Sequence, residues 1–393
     1  NGGDFQPHFS PDGSRLAWIG RDRAGGSGIF VAPVTGGKAE VVTMGPDNLQ
    51  GLAWTADGQA LVYASAPAGI FNLWWAPLDG GPARMIPTPG DFAWNPTIAR
   101  GSGDLVYEQV RVDQDLWRMR LQDRTTWQVD STPFIASTRW ETGADFRPDG
   151  QAIALVSARG GSPEIWLSDA EGNNLRKLTS LGAAMIENLR WSPQGDRLAC
   201  SAVIDGEHRV LVVDPAGGVP RHLTTGYGRE VFAAWSADGE ALLVGADAGE
   251  GWQVYHLDLN GGDPLQVTRN GGLVAQEADD GRTLYFTRPD RAGLWRRQSG
   301  GRLAPELVLA ELLPRDRFNW RLRDDRIIWV MRTGGTALLL EHDLATGQSV
   351  LLMELPGLQG AGVAVAPAGD VFLYPKMGEA AGDLMLIAGP QGR

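Results

Sequence analysis

The sequence predicts an all-β fold, a β-propeller of four-stranded antiparallel blades, on three observations. Short apolar runs of strand length alternate with Gly-, Pro- and Asp-bearing turns along the whole chain. The same order of runs and turns recurs nine times. Turn glycines of consecutive copies (Gly13 and Gly58; Gly150, Gly195, Gly239 and Gly281) fall 42 to 45 residues apart, and Gly369 marks the last copy. That is the period of a propeller blade. One such sheet cannot bury both apolar faces alone, whereas neighbours packed around an axis bury both and leave only short edges.

Copy one is Phe9, the turn SPDG, the strands SRLAWIG and IFVAPV, a turn at Gly36 and Gly37, and EVVT. Copy two is Trp54, TADG, QALVYAS, LWWAPL, a turn at Gly80 and Gly81, and ARMIP. Copy three is degenerate: FAWNPTIARGSGDLVYEQV, then LWRMRL and TWQVD. Copy four is Phe146, RPDG, QAIALVS, IWLSDA, a turn over 171–174, and RKLT. Copy five, over 189–224, shows the unit most plainly, as LRW, SPQG, RLACSAV, IDGEH, RVLVVD, a turn at Gly217 and Gly218, and RHLT. Copy six is Trp235, SADG, EALLVGA, VYHLDL, a turn at Gly261 and Gly262, and LQVT. Copy seven is worn (EADDGRTLYFT, LWRRQS, ELVL). Copy eight is FNWRLRDDRIIWVM, ALLLEHDL and SVLLM; copy nine is VAVAPAGDVFLYP and LMLIAG, without a fourth strand.

Propellers usually close by borrowing a strand. Between copies three and four lies STPFIASTRWE, with a strand-like core at 134–138. If it completes the ninth sheet, residues 132–393 form a six-bladed ring, and residues 1–131 hold three blades of a second, incomplete ring. The rival is one ring of eight or nine blades closed by the segment before Phe9, for which the four residues before Phe5 are short.

The net charge of −12 and pI near 4.9 argue against sequence-independent nucleic-acid binding, which needs clustered Lys and Arg. The nearest cluster, 291–302, scatters its arginines among turn residues and reads as a solvated face. No apolar run approaches the roughly 18 residues of a membrane helix. Cys200, the one cysteine, excludes an internal disulfide and reads as a buried, inert thiol. A chain that begins at Asn1 without Met reads as a piece of something longer.

No enzyme chemistry is legible. Ser27 and Ser162 lie beside glycines without the G-x-S-x-G spacing. His8, His208, His222, His256 and His342 form no H-x-x-x-H or H-E-x-x-H pair. The Gly-Gly turns precede hairpins, not the helix that a phosphate loop needs. Asp12, Asp57, Asp149, Asp238 and Asp280 read as turn-stabilising residues. No cofactor is expected, although the pattern leaves open a single calcium held by backbone carbonyls.

One pattern suggests binding. Asp4, Gln50, Glu141, Glu187, Glu230 and Gln276 stand just before the first strands of their copies. First strands line a propeller's channel, so these residues are expected to ring one mouth. A mostly anionic funnel would steer a cationic group, a metal or a peptide terminus, and close glutamates would raise one another's pKa. The expected partners are therefore a protein, a peptide or a small cationic ligand.

The PDG turns, the L-W and I-W third strands and the closing L-T pairs resemble the repeats of the periplasmic TolB family. The Gly-His and Trp-Asp marks of WD repeats are missing. The order of copies, with ARGSGDLVYEQVRVDQDLWRMR preceding 134–139 and then well-formed blades, resembles the C-terminal sensor region of transmembrane winged-helix regulators of the CadC and ToxR type. The resemblance implies a periplasmic, non-enzymatic sensing module, anchored through sequence upstream. Other readings are an envelope scaffold that docks a partner protein and the gating propeller of a peptidase.

Overall fold

The computed structural model describes all residues except 1–2, 22–26, 46–47, 67–70, 89–91, 124–127, 138, 206, 228, 250, 299–303, 359 and 390–393. Thr138 of the 134–138 segment and Arg302 of the 291–302 stretch lie outside the described residues. Among the described residues eight separate sheets, all antiparallel, account for the nine copies. No helix among the described residues is long and apolar enough to cross a membrane.

The repeat forms for local reasons. The turn glycines Gly13 to Gly369 carry φ between +61 and +75, which only glycine adopts without strain. Within the same turns the aspartates accept hydrogen bonds from their own loop. Asp12 takes the hydroxyls of Ser10 and Ser14, Asp57 that of Thr55, and Asp238 that of Ser236. Asp149 and Asp280 take the amides of Gln151 and Arg282. The aromatic before the turn packs onto the preceding blade. Trp54 and Trp235 donate their indole N–H to the carbonyls of His8 and Arg190, one blade back. Arg15 and Arg197 lie over those indoles and donate to the turn carbonyls of Gly58 and Gly239. Phe9, at the same position in blade 1, is 61% exposed.

The chain divides into two compact units, 1–112 with 379–393, and 113–378. In the second unit, blades 4 to 8 are Glu141–Phe146 to Arg176–Lys177, Met185–Trp191 to Arg221–Leu223, Arg229–Trp235 to Leu265–Gln266, Ala275–Glu277 to Glu306–Leu309, and Trp320–Arg323 to Gln348–Glu354. Blade 9 starts with Ala364–Val365, and this strand packs against Glu141–Phe146, so the six sheets close on themselves. Thr142 donates to the carbonyl of Ala361 across that junction. Leu116, Ile135, Phe146, Ile153, Leu155, Ala364 and Leu373 form the apolar core there.

The closing sheet differs from the one expected. Its third and fourth strands are the later part of Leu105–Asp123 and the strand Gln128–Ile135, and Leu121 donates to the carbonyl of Asp370. The ring therefore takes two strands from copy three, LWRMRL as well as the 128–135 run, and begins at Asp113 rather than 132. In exchange, the end of Val371–Ile387 belongs to the first unit. There Gly389 donates to Asp104, beside Phe92–Ile98 and the start of Leu105–Asp123. The physical reason is strand length. These two strands have 19 and 17 residues, enough for two sheets each, and RVDQD contains no Gly or Pro to break the first.

A fragment of residues 113–378 should therefore fold alone with one cooperative urea transition. A fragment starting at 132 loses Leu116, Met119 and Leu121, all buried. Each is worth about 1.5–3 kcal/mol, a large part of the about 5–15 kcal/mol that holds a domain together. Equal urea midpoints for the two fragments would contradict this closure.

Candidate binding site

Inner strands of the ring are not regular. Register shifts lie between Thr142 and Asp145, Glu187 and Arg190, and Phe232 and Ala234. At two of these bulges Gly143 and Asn188 hold φ of +58 and +49. A bulge leaves peptide groups that the strand's own ladder cannot pair and re-aims the side chains around it. The adjoining blade supplies partners. Asn188 donates to the carbonyl of Phe232 at 2.7 Å, and Ser201 accepts from the Phe232 amide at 2.7 Å. Asn319 spans the carbonyl of Gly360 and the amide of Gly362. Gln276 donates to the carbonyl of Trp320 and accepts from the amide of Leu322.

The six residues expected at a channel mouth have varied surroundings. Asp4 is exposed and Gln50 half-buried, while Gln276 is the inter-blade link just described. Glu141, Glu187 and Glu230 are only 0, 6 and 2% exposed. Glu141 accepts from the hydroxyls of Ser137 and Ser157 and from Arg159. Glu230 accepts from the Thr224 hydroxyl and from the amide and hydroxyl of Thr225. Both carboxylates thus tie down the segment that enters their own blade. Burial, rather than a neighbouring carboxylate, raises the pKa of Glu141, against the pull of Ser137, Ser157 and Arg159.

A second set of inner-strand positions, of which the sequence reading singled out only Gln276, has a constant offset as its signal, five residues before the turn glycine. Asp145, Arg190, Ala234 and Gln276 hold it, and Arg321 is the equivalent in blade 8, between the two backbone groups that Gln276 bonds. All five are partly exposed on strands that line the ring's inner wall. Asp145 accepts from the Trp191 amide at 2.9 Å. Its burial pushes the carboxyl up to about 6 against the opposing charge of Arg190. Arg190 and Arg321 each curl back onto their own strand, donating to the carbonyls of Leu189 and Trp320.

Elsewhere the polar groups serve the fold. His342 shares a hydrogen bond of 2.9 Å with Ser349 across two outer strands, and the Asp343 carboxylate beside it is taken up by Thr346 and Ala345. Burial pushes the Cys200 thiol up to about 12, far from a thiolate. Among the described residues no cluster of three or more His, Cys, Asp or Glu is placed to hold a metal. A cleft of about 500 Å³ lies between blades 4 and 5, lined among others by Arg147, Asp169, Arg176, Trp191 and Asp196. Its arginines are already engaged, Arg147 with the Gly195 carbonyl and Arg176 with that of Pro215. In the 291–302 stretch, Arg291 pairs with Asp290, and Arg296, which lies in a strand rather than a turn, pairs with Glu306.

No family model matches the chain. It is 27% identical over 384 residues to tricorn protease homolog 1 of Streptomyces coelicolor, an alignment that takes in 84% of this chain and 34% of that protein. The chain thus spans about a third of that relative's length. Dipeptidyl-peptidase 5 of Porphyromonas gingivalis is 27% identical over 159 residues, 37% of this chain and 23% of that protein. Among solved structures, a putative TolB from Agrobacterium tumefaciens superposes with a TM-score of 0.54 at 18% identity, covering 68% of this chain and 99% of that one. That likeness shows the fold: a TolB-like propeller.

The carboxyl groups make stability depend on pH in two directions. Asp145 and Glu141 have raised values, so the folded chain takes up protons first. Stability should rise as pH falls from about 6 toward 4. Four turn aspartates are lowered, Asp12 to about 2 by the Ser10 hydroxyl and then by Ser14, and Asp57, Asp238 and Asp280 likewise by their turn hydrogen bonds. Their contribution is present above the ordinary carboxylate range and is lost as pH falls toward 2. Urea midpoints should therefore peak near pH 4 to 5. Asp145→Asn should flatten the slope on the neutral side, which amounts to at most about 3 kcal/mol. An unchanged slope in that variant would assign it elsewhere.

Proposed function

We propose that this chain is a non-catalytic docking propeller that holds a peptide or protein segment at the inner wall of its six-sheet ring, leaving any chemistry to another domain or protein. One observation carries the reading. Arg190, Gln276 and Arg321 stay partly exposed on the inner strands even though each also bonds a backbone carbonyl there, whereas Glu141, Glu187 and Glu230 are buried. Ring mouths and channels are the usual binding places of such folds.

Two relatives support a role next to a peptidase. Tricorn protease homolog 1 aligns with this chain over about a third of its own length, and dipeptidyl-peptidase 5 over less. In that setting the propeller would receive substrate segments for a catalytic part that lies elsewhere. The TolB-like fold supports an envelope scaffold on the same physical basis, and with it a periplasmic location. The narrower reading as the sensor of a membrane-anchored regulator rests on the order of the copies, and the relatives above do not favour it.

The test is retention without turnover. Unstructured peptides from reduced, alkylated casein should be held by the purified chain in equilibrium dialysis, with micromolar affinity, and be recovered uncleaved by mass spectrometry. New peptide termini that disappear on a single Ser→Ala change would overturn the non-catalytic reading, and an absence of retention would overturn docking.

A further inference from the structure

Blade 1 is apolar on both faces and covered on one. Its strands, Asp4–Phe9, Arg15–Arg21, Ser27–Pro33 and Glu40–Gly45, pair in sequence order. Ala17, Ile19, Ile29 and Val31 lie toward blade 2 and are 0 to 5% exposed. Side chains alternate along a strand, so Leu16, Trp18, Phe30 and Ala32 face the other way, and all four stay partly exposed. Phe9 stands opposite Leu16 on that face and is 61% exposed. The rings of Trp18 and Phe30 stack there at 5.7 Å.

Elsewhere in the chain the same face is covered by another blade. Blade 2 holds Trp54, Leu61, Tyr63, Trp74 and Ala76 at the positions of Phe9, Leu16, Trp18, Phe30 and Ala32, in the same register. There the five residues are only 0 to 6% exposed. In blade 6 the equivalent Trp235, Leu242, Val244 and Tyr255 share one core with Ala199 and Val210 of blade 5, which hold the places of Ala17 and Ile29. In blade 4, first of its ring, Phe146, Ile153 and Leu155 lie against Ala364 and Leu373 of the closing sheet. The cover is each time the forward face of a blade, so a blade is what this surface fits.

The third sheet of the same unit leaves its forward face open. Leu105 and Tyr107, at the positions of Leu16 and Trp18, are buried, as the covered side requires. On the opposite side Gly382 lies against the Glu108 side chain, and alternation from there places Leu384 and Leu386 on that side, 79 and 64% exposed. One end of the unit is thus a surface that takes a forward face, and the other end is a forward face with no cover among the described residues. The unit holds three blades, half the number with which residues 113–378 close a ring of the same repeat. Two such arcs, each seated on the other, complete six blades about a two-fold axis.

We propose that the first unit is half of a propeller and that a second copy of this chain supplies the other half, with Leu384 and Leu386 of each copy seated on Phe9, Leu16, Trp18 and Phe30 of the other. The inference goes beyond peptide docking at the six-sheet ring and does not depend on it. A head-to-tail contact that failed to close would build open chains, whereas closure at two copies uses every free face. Once one junction has formed, the second is intramolecular, which favours the closed pair over longer assemblies.

Light scattering on the purified chain after size exclusion tests this. At micromolar concentration and above the mass should be twice 42.2 kDa. Phe9→Lys at one end and Leu384→Glu at the other alter exposed residues, so circular dichroism should stay unchanged. Each variant alone should weaken the dimer by about tenfold or more. A mixture of the two variants has one junction intact and a Lys facing a Glu at the other, so it should dimerise more tightly than either alone. A mixture no tighter than its components would overturn the head-to-tail pairing. A chain that stays monomeric would overturn the second copy as occupant and leave the face to a blade from another protein. A dimer indifferent to both substitutions would place the contact elsewhere, and a ladder of larger species would overturn closure at two copies.

Discussion

The ring depends on a hydrogen-bonding debt carried by its inner strands. Bulges in blades 4 to 6, and the open inner edges and entry loops of the first strands, leave peptide groups that the strand's own sheet cannot reach, and a buried, unpaired backbone group costs about 1–3 kcal/mol. Asp145, Asn188, Ser201, Gln276 and Asn319 discharge that cost for the next blade round. A blade thus needs neighbours on two counts, to cover its apolar faces and to complete its backbone. Thr142, reaching Ala361, serves the junction where the circle closes.

The outer strands are held by a different device. Thr179 accepts from the Ile165 amide and donates to Glu164, while Thr268 accepts from the Val254 amide and donates to Gln253. These threonines end the RKLT and LQVT runs, so a recurring letter pair in the sequence proves to be a clamp that fastens a two-residue strand. Outer strands as short as Arg176–Lys177 and Leu265–Gln266 make little ladder of their own. They persist because a hydroxyl substitutes for missing length.

Much of the fold was legible because turns and period follow from local chemistry. A glycine at φ near +70 and an aspartate folded onto its own loop need no distant information. The inner wall was less legible. Side chains alternate with period two along a regular strand, so Glu141 and Asp145 ought to share a face. The bulge between them inserts an extra residue and breaks that parity. Glu141 then turns into the segment entering its own blade, while Asp145 reaches Trp191 in the next. Neither the bulge nor the exchange of strands between copies three and nine leaves a local mark beyond Gly143 and the Gly-free RVDQD.

That exchange has a consequence for biogenesis. Gly389 meets Asp104 across 285 residues, and Thr142 meets Ala361 across 219. At roughly 5–20 residues per second of synthesis, the early partners wait on the order of 10 to 60 s for the late ones. Through that interval the strand Leu105–Asp123 has emerged, but the Val371–Ile387 strand beside it in the sheet order does not yet exist. An unpaired strand edge of that length is an invitation to neighbouring nascent chains. The translation schedule, as much as the finished contacts, thus sets the hazard this molecule must survive, and attending chaperones would find their natural target in that stretch.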